Sequence, residues 1–273
     1  MAQLELKDWI EAWQPSEQNA SACTSFWDNR AKTYNEGVSL GEANHVMDLL
    51  RSKGILQKNN TVLDIGCGPG RYTIPMAKEC KEVFAIDISQ EMLQYAKDHA
   101  TGAGLNNIIY DQKNWEDIHI KEYGWEKKFD LVLASMTPGV YNFSTFKKML
   151  EVSKGYCYLS GFIQRSNQLW DPLQKEILGE NSKKKQKEDK IYYAFNILWK
   201  LGYHPEIFYQ EKIWEQEWDL EEIQQLYRQR FEINHHIQQE DIEKIEKFLD
   251  VHQKNGKVIE KTEAKTAALI WRV

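Results

Sequence analysis

From residue 61 onward, short apolar runs alternate with polar segments whose apolar positions recur at helical spacing. Residues 61–65, 83–88, 107–110, 129–134 and 156–163 are the apolar runs. They are continuous in character where an alternating pattern would mark a half-exposed strand, as expected of parallel strands covered on both faces. Residues 71–80 read as the first intervening helix, with Pro75 in its opening turns, where proline is tolerated. A second helix starts after Ser89, a suitable N-cap, and turns Met92, Leu93 and Ala96 inward. A third spans 143–152. Strand and helix in strict alternation predict an α/β fold, a parallel sheet with helices on both faces.

The flanks differ in pattern. Residues 1–38 look helical but irregular, and 41–53 read as a helix with Val46, Leu49 and Leu50 on one face, ended by Gly54. Residues 191–201 form an amphipathic helix, 220–251 read as charged helix, and 204–212 and 266–273 as two further strands. A terminal apolar run is rarely free unless a sheet holds it. Residues 266–273 are therefore expected antiparallel beside the 156–163 strand, between it and 204–212. Residues 164–190 are polar and end in a mostly basic run, 183–190, expected to be a solvated loop. Segments 1–38 and 164–190 flank the strand ends and are expected to cover a pocket there. The predicted organisation is one domain, with a helical cap (1–60), a core (61–163) and a second half that completes the sheet (164–273).

Composition adds exclusions. The net charge of −6 over 273 residues disfavours a general nucleic-acid surface. No run approaches the ~18 apolar residues of a membrane span, and residues 1–15 lack the apolar stretch of a signal peptide. Cys23, Cys67, Cys80 and Cys157 show neither CxxC pairing nor zinc spacing, so reduced thiols, a cytoplasmic setting and no metal are expected.

The chemistry concentrates in Asp64-Ile65-Gly66-Cys67-Gly68-Pro69-Gly70. A buried strand runs into a glycine turn that opens a helix, and the glycines let backbone approach a ligand. A second acid, Asp87, ends the next strand, where it can accept bonds from ribose hydroxyls. The dinucleotide pattern G-x-G-x-x-G/A is broken by Arg71 in its sixth place, and the lysine of a P-loop is missing. An NAD-dependent oxidoreductase is disfavoured on that ground.

These residues resemble the first motif of the class I S-adenosylmethionine-dependent methyltransferases. Val83-Phe-Ala-Ile-Asp87-Ile-Ser89 resembles the second motif, Phe129–Ser135 the fourth strand, and Phe26–Tyr34 the entry helix of small-molecule members. The resemblance implies a Rossmann-like seven-stranded doubly wound sheet, with an N-terminal helical segment and C-terminal helical insertions, and S-adenosyl-L-methionine as cofactor. Carried over position by position, it puts Gly66 and Gly68 beside the cofactor's amino-acid end, Asp64 behind its ammonium and Asp87 on its ribose. Ile88 and Met92 would meet the adenine. Asn114 stands where many members have an Asp for the adenine amino group. Ser135 would lie near the transferred methyl, and Tyr34 above it.

No catalytic base is assigned. Tyr141 and His204 are candidates by position alone, and His235 and His236 read as a solvated pair. The run Ser135-Met-Thr-Pro138 lacks the Asn/Asp-Pro-Pro-aromatic signature of enzymes that methylate base or glutamine amino groups. Together with the acidic charge, that favours a small-molecule acceptor, with no DNA and no membrane partner. Methylation of a protein or RNA through the basic run, and a non-catalytic S-adenosylmethionine binder, are the rival readings. The acceptor, its nucleophilic atom and the oligomeric state are not legible.

Overall fold

The computed structural model describes residues 4–13, 19–37, 44–179 and 190–273. Seven strands form one sheet: β1 (Thr61–Ile65), β2 (Glu82–Asp87), β3 (Ile108–Gln112), β4 (Phe129–Ser135), β5 (Ser153–Asn167), β6 (Glu206–Asp219) and β7 (Lys257–Arg272), in the order β3-β2-β1-β4-β5-β7-β6. The first five are parallel and β7 is antiparallel to both neighbours. The C-terminal run therefore inserts between β5 and β6, as its hydrophobicity predicts. Strand order reverses between β1 and β4, and a crevice opens at the carboxyl ends of such strands.

Alternate residues of the core strands feed opposite faces. Leu63, Ile65, Val132, Ala134, Cys157 and Leu159 pack under α6 (Phe143–Val152) and α8 (Lys190–Lys200), where Trp13, just past α1 (Leu6–Ala12), joins them. Val62, Leu131, Leu133 and Tyr158 pack instead with α3 (Asn44–Ser52) and α4 (Thr73–Glu79). Beside α4 lies α5 (Gln90–Gly102), whose N-cap Ser89 accepts from the Met92 amide at 3.1 Å.

The second half departs from the sequence reading. Strands β5, β6 and β7 run well past the core sheet as a three-stranded wing, with register from Asn167↔Thr262 across to Asp219↔Lys257. A bulge between Phe162 and Gln164 inserts Ile163. The inserted residue reverses the alternation, so Phe162, Arg165 and Asn167 all lie opposite even-numbered β7 residues: Thr266, Ala264 and Thr262. That shared face is covered by α2 (Ala20–Glu36), α7 (Trp170–Leu178), α9 (Leu220–Glu232) and α10 (Gln239–His252) around Trp170, Leu173, Tyr227 and Phe231.

Residues 164–179 are accordingly strand and helix, where the sequence suggested polar loop. The basic run falls mainly on 183–189, outside the described residues. The start of α7 depends on Asn167, 2% exposed, whose Oδ1 accepts from the Leu169 and Trp170 amides at 3.0 and 2.7 Å. Its Nδ2 donates to Glu260 and Thr262, each at 2.8 Å. No helix of the described residues is long and apolar enough to cross a membrane.

Replacing Asn167 by Ala leaves two helix-start amides without an acceptor and takes one donor each from Thr262 and from Glu260, which keeps Tyr227 and Trp218. The expected loss is about 2–4 kcal/mol, read as a lower urea midpoint, with the wing helices exchanging amide hydrogens before the β1–β4 core.

Candidate active site

At the carboxyl edge of β1, β2 and β4 lies a cavity of about 660 Å³, in the range of small-molecule sites. Its floor is the turn 66–70. The amides of Gly66 and Cys67 both donate to the Ile86 carbonyl, at 2.8 and 3.1 Å, which folds the turn back over β2. Gly66 has φ +67°, and a Cβ there would lie 2.1 Å from Thr137 Oγ1. Gly68 also has positive φ, but a Cβ there would meet nothing nearer than Met92 Sδ at 4.0 Å. Its backbone faces open space over α5. Gly70 is left-handed too and fits tightly between Ile74 and Ala96. The three glycines thus serve different purposes: close packing on the β4 loop, exposure of backbone to the cavity, and helix packing.

Asp87 holds this turn in place. One carboxylate oxygen accepts from the Gly68 amide at 2.8 Å and the other from the Ser89 amide at 3.0 Å. Burial pushes its pKa up, against those backbone bonds, and Asp28 adds to the rise. The Ser89 hydroxyl in turn donates to Asp28 of α2 at 2.6 Å, and Arg71 donates to the Gly37 carbonyl just past the end of α2 at 3.0 Å. Helix α2 is tied at these two points across the mouth, where Cys23, Thr24, Trp27 and Tyr34 line the cavity. Helix α1 does not line it; Trp9 packs edge-on to Tyr192 of α8.

Of the residues singled out from sequence, Tyr34, Gly66, Gly68, Asp87, Ile88, Met92, Asn114 and Ser135 all line this one cavity. Asp64 does not. It is 2% exposed beneath the turn and accepts a 2.6 Å bond from Thr73 at the start of α4. Burial raises its pKa to about 7, Thr73 opposes the rise, and Asp87 adds to it. Asn114 spends its side-chain oxygen on the Glu116 amide at 3.3 Å, capping a 3-10 turn over Trp115–Asp117. Ser135 Oγ lies 3.2 Å from Ser160 Oγ at the base of the β4 loop.

Several features had no sequence signal. Thr137, locked on Gly66, has its carbonyl held by Lys190 Nζ at 2.9 Å and its hydroxyl held by the Gly139 amide at 3.1 Å. Met136 has φ +54°, a costly conformation for a side chain of this kind, and it is exposed on the cavity wall. Tyr141 lines the cavity, but burial first and Glu116 second push its phenol pKa far above the ordinary value. It is therefore held protonated and cannot serve as a base near neutrality. His204 is exposed against Trp199, and His235 and His236 line a separate surface pocket beside Asn19.

The arrangement has the parts of a nucleotide-type site: a glycine turn with outward backbone, an acid at the next strand end, apolar side chains beyond it and a helix across the opening. Comparison with known proteins agrees. A methyltransferase-domain family model matches residues 56–220. An uncharacterized protein of Haemophilus influenzae is 28% identical over 158 residues, covering 55% of this chain and 56% of that one. The 23S rRNA (uracil(1939)-C(5))-methyltransferase RlmD of Aliivibrio fischeri is 38% identical over 79 residues, 29% of this chain and 18% of the relative. The chain thus spans little more than half of the first relative and under a fifth of the second. Among solved structures, a candidate sarcosine dimethylglycine methyltransferase of Galdieria sulphuraria has a TM-score of 0.53, 12% identity and coverage of 87% of both chains. A candidate methyltransferase of Bacillus halodurans has a TM-score of 0.50 and 16% identity, covering 82% of this chain and 97% of that one. At such identities the likeness is one of fold.

Two outcomes follow from the geometry. Gly66→Ala combines a forbidden contact with a left-handed backbone, and should lower stability by about 1–2 kcal/mol or more, with a matching fall in melting temperature. For Asp64 the sign is as follows: its folded pKa, about 7, lies above the ordinary 3.8. The folded state binds the proton more tightly, so Asp64 contributes full stability below about pH 4 and loses it as pH rises through 7. Asp64→Asn does not titrate. Wild-type stability relative to Asp64→Asn should therefore fall between pH 4 and 7, and parallel urea midpoints across that window would refute the assignment.

Proposed function

Since the chain belongs to the methyltransferase-domain family, we propose that it transfers the methyl group of S-adenosylmethionine to a small-molecule acceptor by in-line displacement. Membership makes it a class I S-adenosylmethionine-dependent methyltransferase; the acceptor class and the residue roles are the proposal. The observation that carries it is the cavity itself, about 660 Å³ and shared between the glycine turn and the α2 cap. It is a recess partly covered by a helix, with the volume of a small-molecule site. The likeness in fold to a candidate sarcosine dimethylglycine methyltransferase agrees with that reading.

The residues present suit the cofactor. Gly68 exposes backbone to the cavity with room where a Cβ would stand. Each Asp87 oxygen has used one acceptor site on the protein and retains another for a ribose hydroxyl. Ile88 and Met92 offer apolar surface for the adenine, and the Asn114 amide can donate to it because only its oxygen is engaged. Buried acids beneath and beside the turn give the neighbourhood a negative character suited to a cationic ligand. Asp64 takes part through the turn rather than by contact.

When bound, S-adenosylmethionine supplies a methyl on a cationic sulfonium, already activated for displacement. The protein's part is then alignment and exclusion of water, worth ~7–11 kcal/mol in well-oriented systems. Ser135, Met136 and Tyr141 line the wall beyond the turn, and Tyr141, whose phenol proton is turned to Glu116, can accept a hydrogen bond from the acceptor and orient it. Helix α2 closes the opening. An acceptor that arrives deprotonated or as a free amine needs no base from the protein.

Asp87→Ala tests the cofactor assignment by calorimetric titration with S-adenosylhomocysteine. Loss of two hydrogen bonds to a charged group should weaken binding by roughly 10²-fold or more. The same substitution frees the Gly68 and Ser89 amides, so about 1–3 kcal/mol of stability goes too. A folded variant with undiminished affinity would overturn the ribose role.

A further inference from the structure

Beside the cavity, on the inner face of the wing, three arginines converge from distant parts of the chain: Arg30 of α2, Arg165 of β5 and Arg230 of α9. Each is partly buried and lies over aromatic rings. Arg230 Cζ is 3.8 Å from the Trp170 ring centroid, Arg165 Cζ is 5.1 Å from that of Phe162, and Arg30 Cζ is 5.1 Å from that of Tyr34 and 5.6 Å from that of Trp218. No hydrogen bond or ion pair joins any of the three to a described residue. The Nε atoms of Arg30 and Arg165 are buried without a partner.

Among the described residues, the acid that acts on Arg230 is already engaged. Glu260, 8% exposed, accepts from Asn167 and Tyr227 on one oxygen, at 2.8 and 2.6 Å, and from Trp218 on the other at 3.3 Å. Burial, with Arg165 and Arg30 adding repulsion, holds the Arg230 pKa down to about 9, while Tyr227 and Glu260 act the other way. Aromatic faces attract the cations but leave the in-plane N–H groups free. Each guanidinium therefore keeps a planar fork of donors of the kind that meets carboxylate and phosphate bidentately.

The cluster adjoins the cavity. Phe162 and Tyr34 line the cavity and also stack on Arg165 and Arg30; the three guanidiniums are not themselves among its lining residues, so the cluster borders the cavity across these two rings. We propose that Arg30, Arg165 and Arg230 bind an oxyanion on a part of the methyl acceptor that reaches past these rings, which makes the acceptor an acidic small molecule bearing a carboxylate or a phosphate. This rests on the small-molecule reading of the same cavity. A buried excess of positive charge costs stability when nothing balances it, and an anionic substrate is a balance that no hydrogen bond or ion pair among the described residues provides.

Benzoate, phenyl phosphate and the neutral benzamide serve as probes, titrated by calorimetry with and without saturating S-adenosylhomocysteine. At least one anion should bind saturably and at least about tenfold more tightly than benzamide; the better of the two identifies the oxyanion. In Arg165→Gln and in Arg230→Gln that preference should fall at least about tenfold, while affinity for S-adenosylhomocysteine is unchanged. Equal binding of benzamide, no saturable binding of either anion, or an intact preference in both folded variants would overturn the proposal. Failure of S-adenosylhomocysteine to bind at all would strike the cofactor reading, and the titrations without it would still decide the arginine cluster.

Discussion

The site depends on one carboxylate. Asp87 joins the Gly68 amide to the Ser89 amide, so a single side chain fixes the glycine turn against the start of α5. Ser89 then passes the constraint to α2 through Asp28. Floor, strand end and cap are thereby set by one short chain of bonds. Because the group is largely buried, each bond is stronger than it would be in water and costlier to lose. Acids crowd here as a result: burial first raises the pKa of both Asp64 and Asp87, and Asp87 adds to the first and Asp28 to the second. Like charges gathered at low dielectric favour either protonation or a cation between them, and a sulfonium-bearing ligand belongs to the second kind.

How far the sequence disclosed this varies along the chain. Between residues 61 and 163 the pattern was nearly sufficient, because strands buried on both faces must be continuously apolar and helices between them must show one apolar side. Asp87 was visible as a strand-end acid, but its two amide partners were not: Gly68 is 19 residues away, and only the closed turn brings them together. The wing was misread for a different reason. In β6 the odd-numbered face is exposed beyond residue 208 and the other mixes Gln210, Lys212 and Gln216 with Trp214 and Trp218, so the apolar run ends well before the strand does. In β5 the bulge at Ile163 resets the alternation, and the residues beyond it lose the period by which a strand is recognised. The start of α7 carries its cap on Asn167, three residues before Trp170, in a stretch whose polarity suggested loop.

Thr137 illustrates a further limit. It looks like an ordinary loop residue, yet it fills the space that makes Gly66 obligatory. The glycine was legible and its reason was not, since the reason lies on the loop after β4. Arg30, Arg165 and Arg230 are illegible for the same cause, each an isolated cation in its own segment until the wing folds over α2.

The wing therefore does more than extend the sheet. Without the bulge, Phe162 and Arg165 would point to opposite faces, and the cavity wall would be separated from the cation behind it. With it, one strand carries a cavity ring, its arginine and the asparagine that caps α7, all against the same face of β7. The cofactor end of the cavity is built by the parallel core, whose strand ends and glycine turn leave little freedom in what they can hold. Its opposite wall is built by Phe162 of β5 and by α2, which lie outside the β1–β4 core. If the arginine cluster reads the acceptor as proposed, the two tasks fall to different parts of the fold: Arg165 and Arg230 stand on elements that share no residue with the turn that Asp87 holds, so a change of charge there leaves the cofactor end in place.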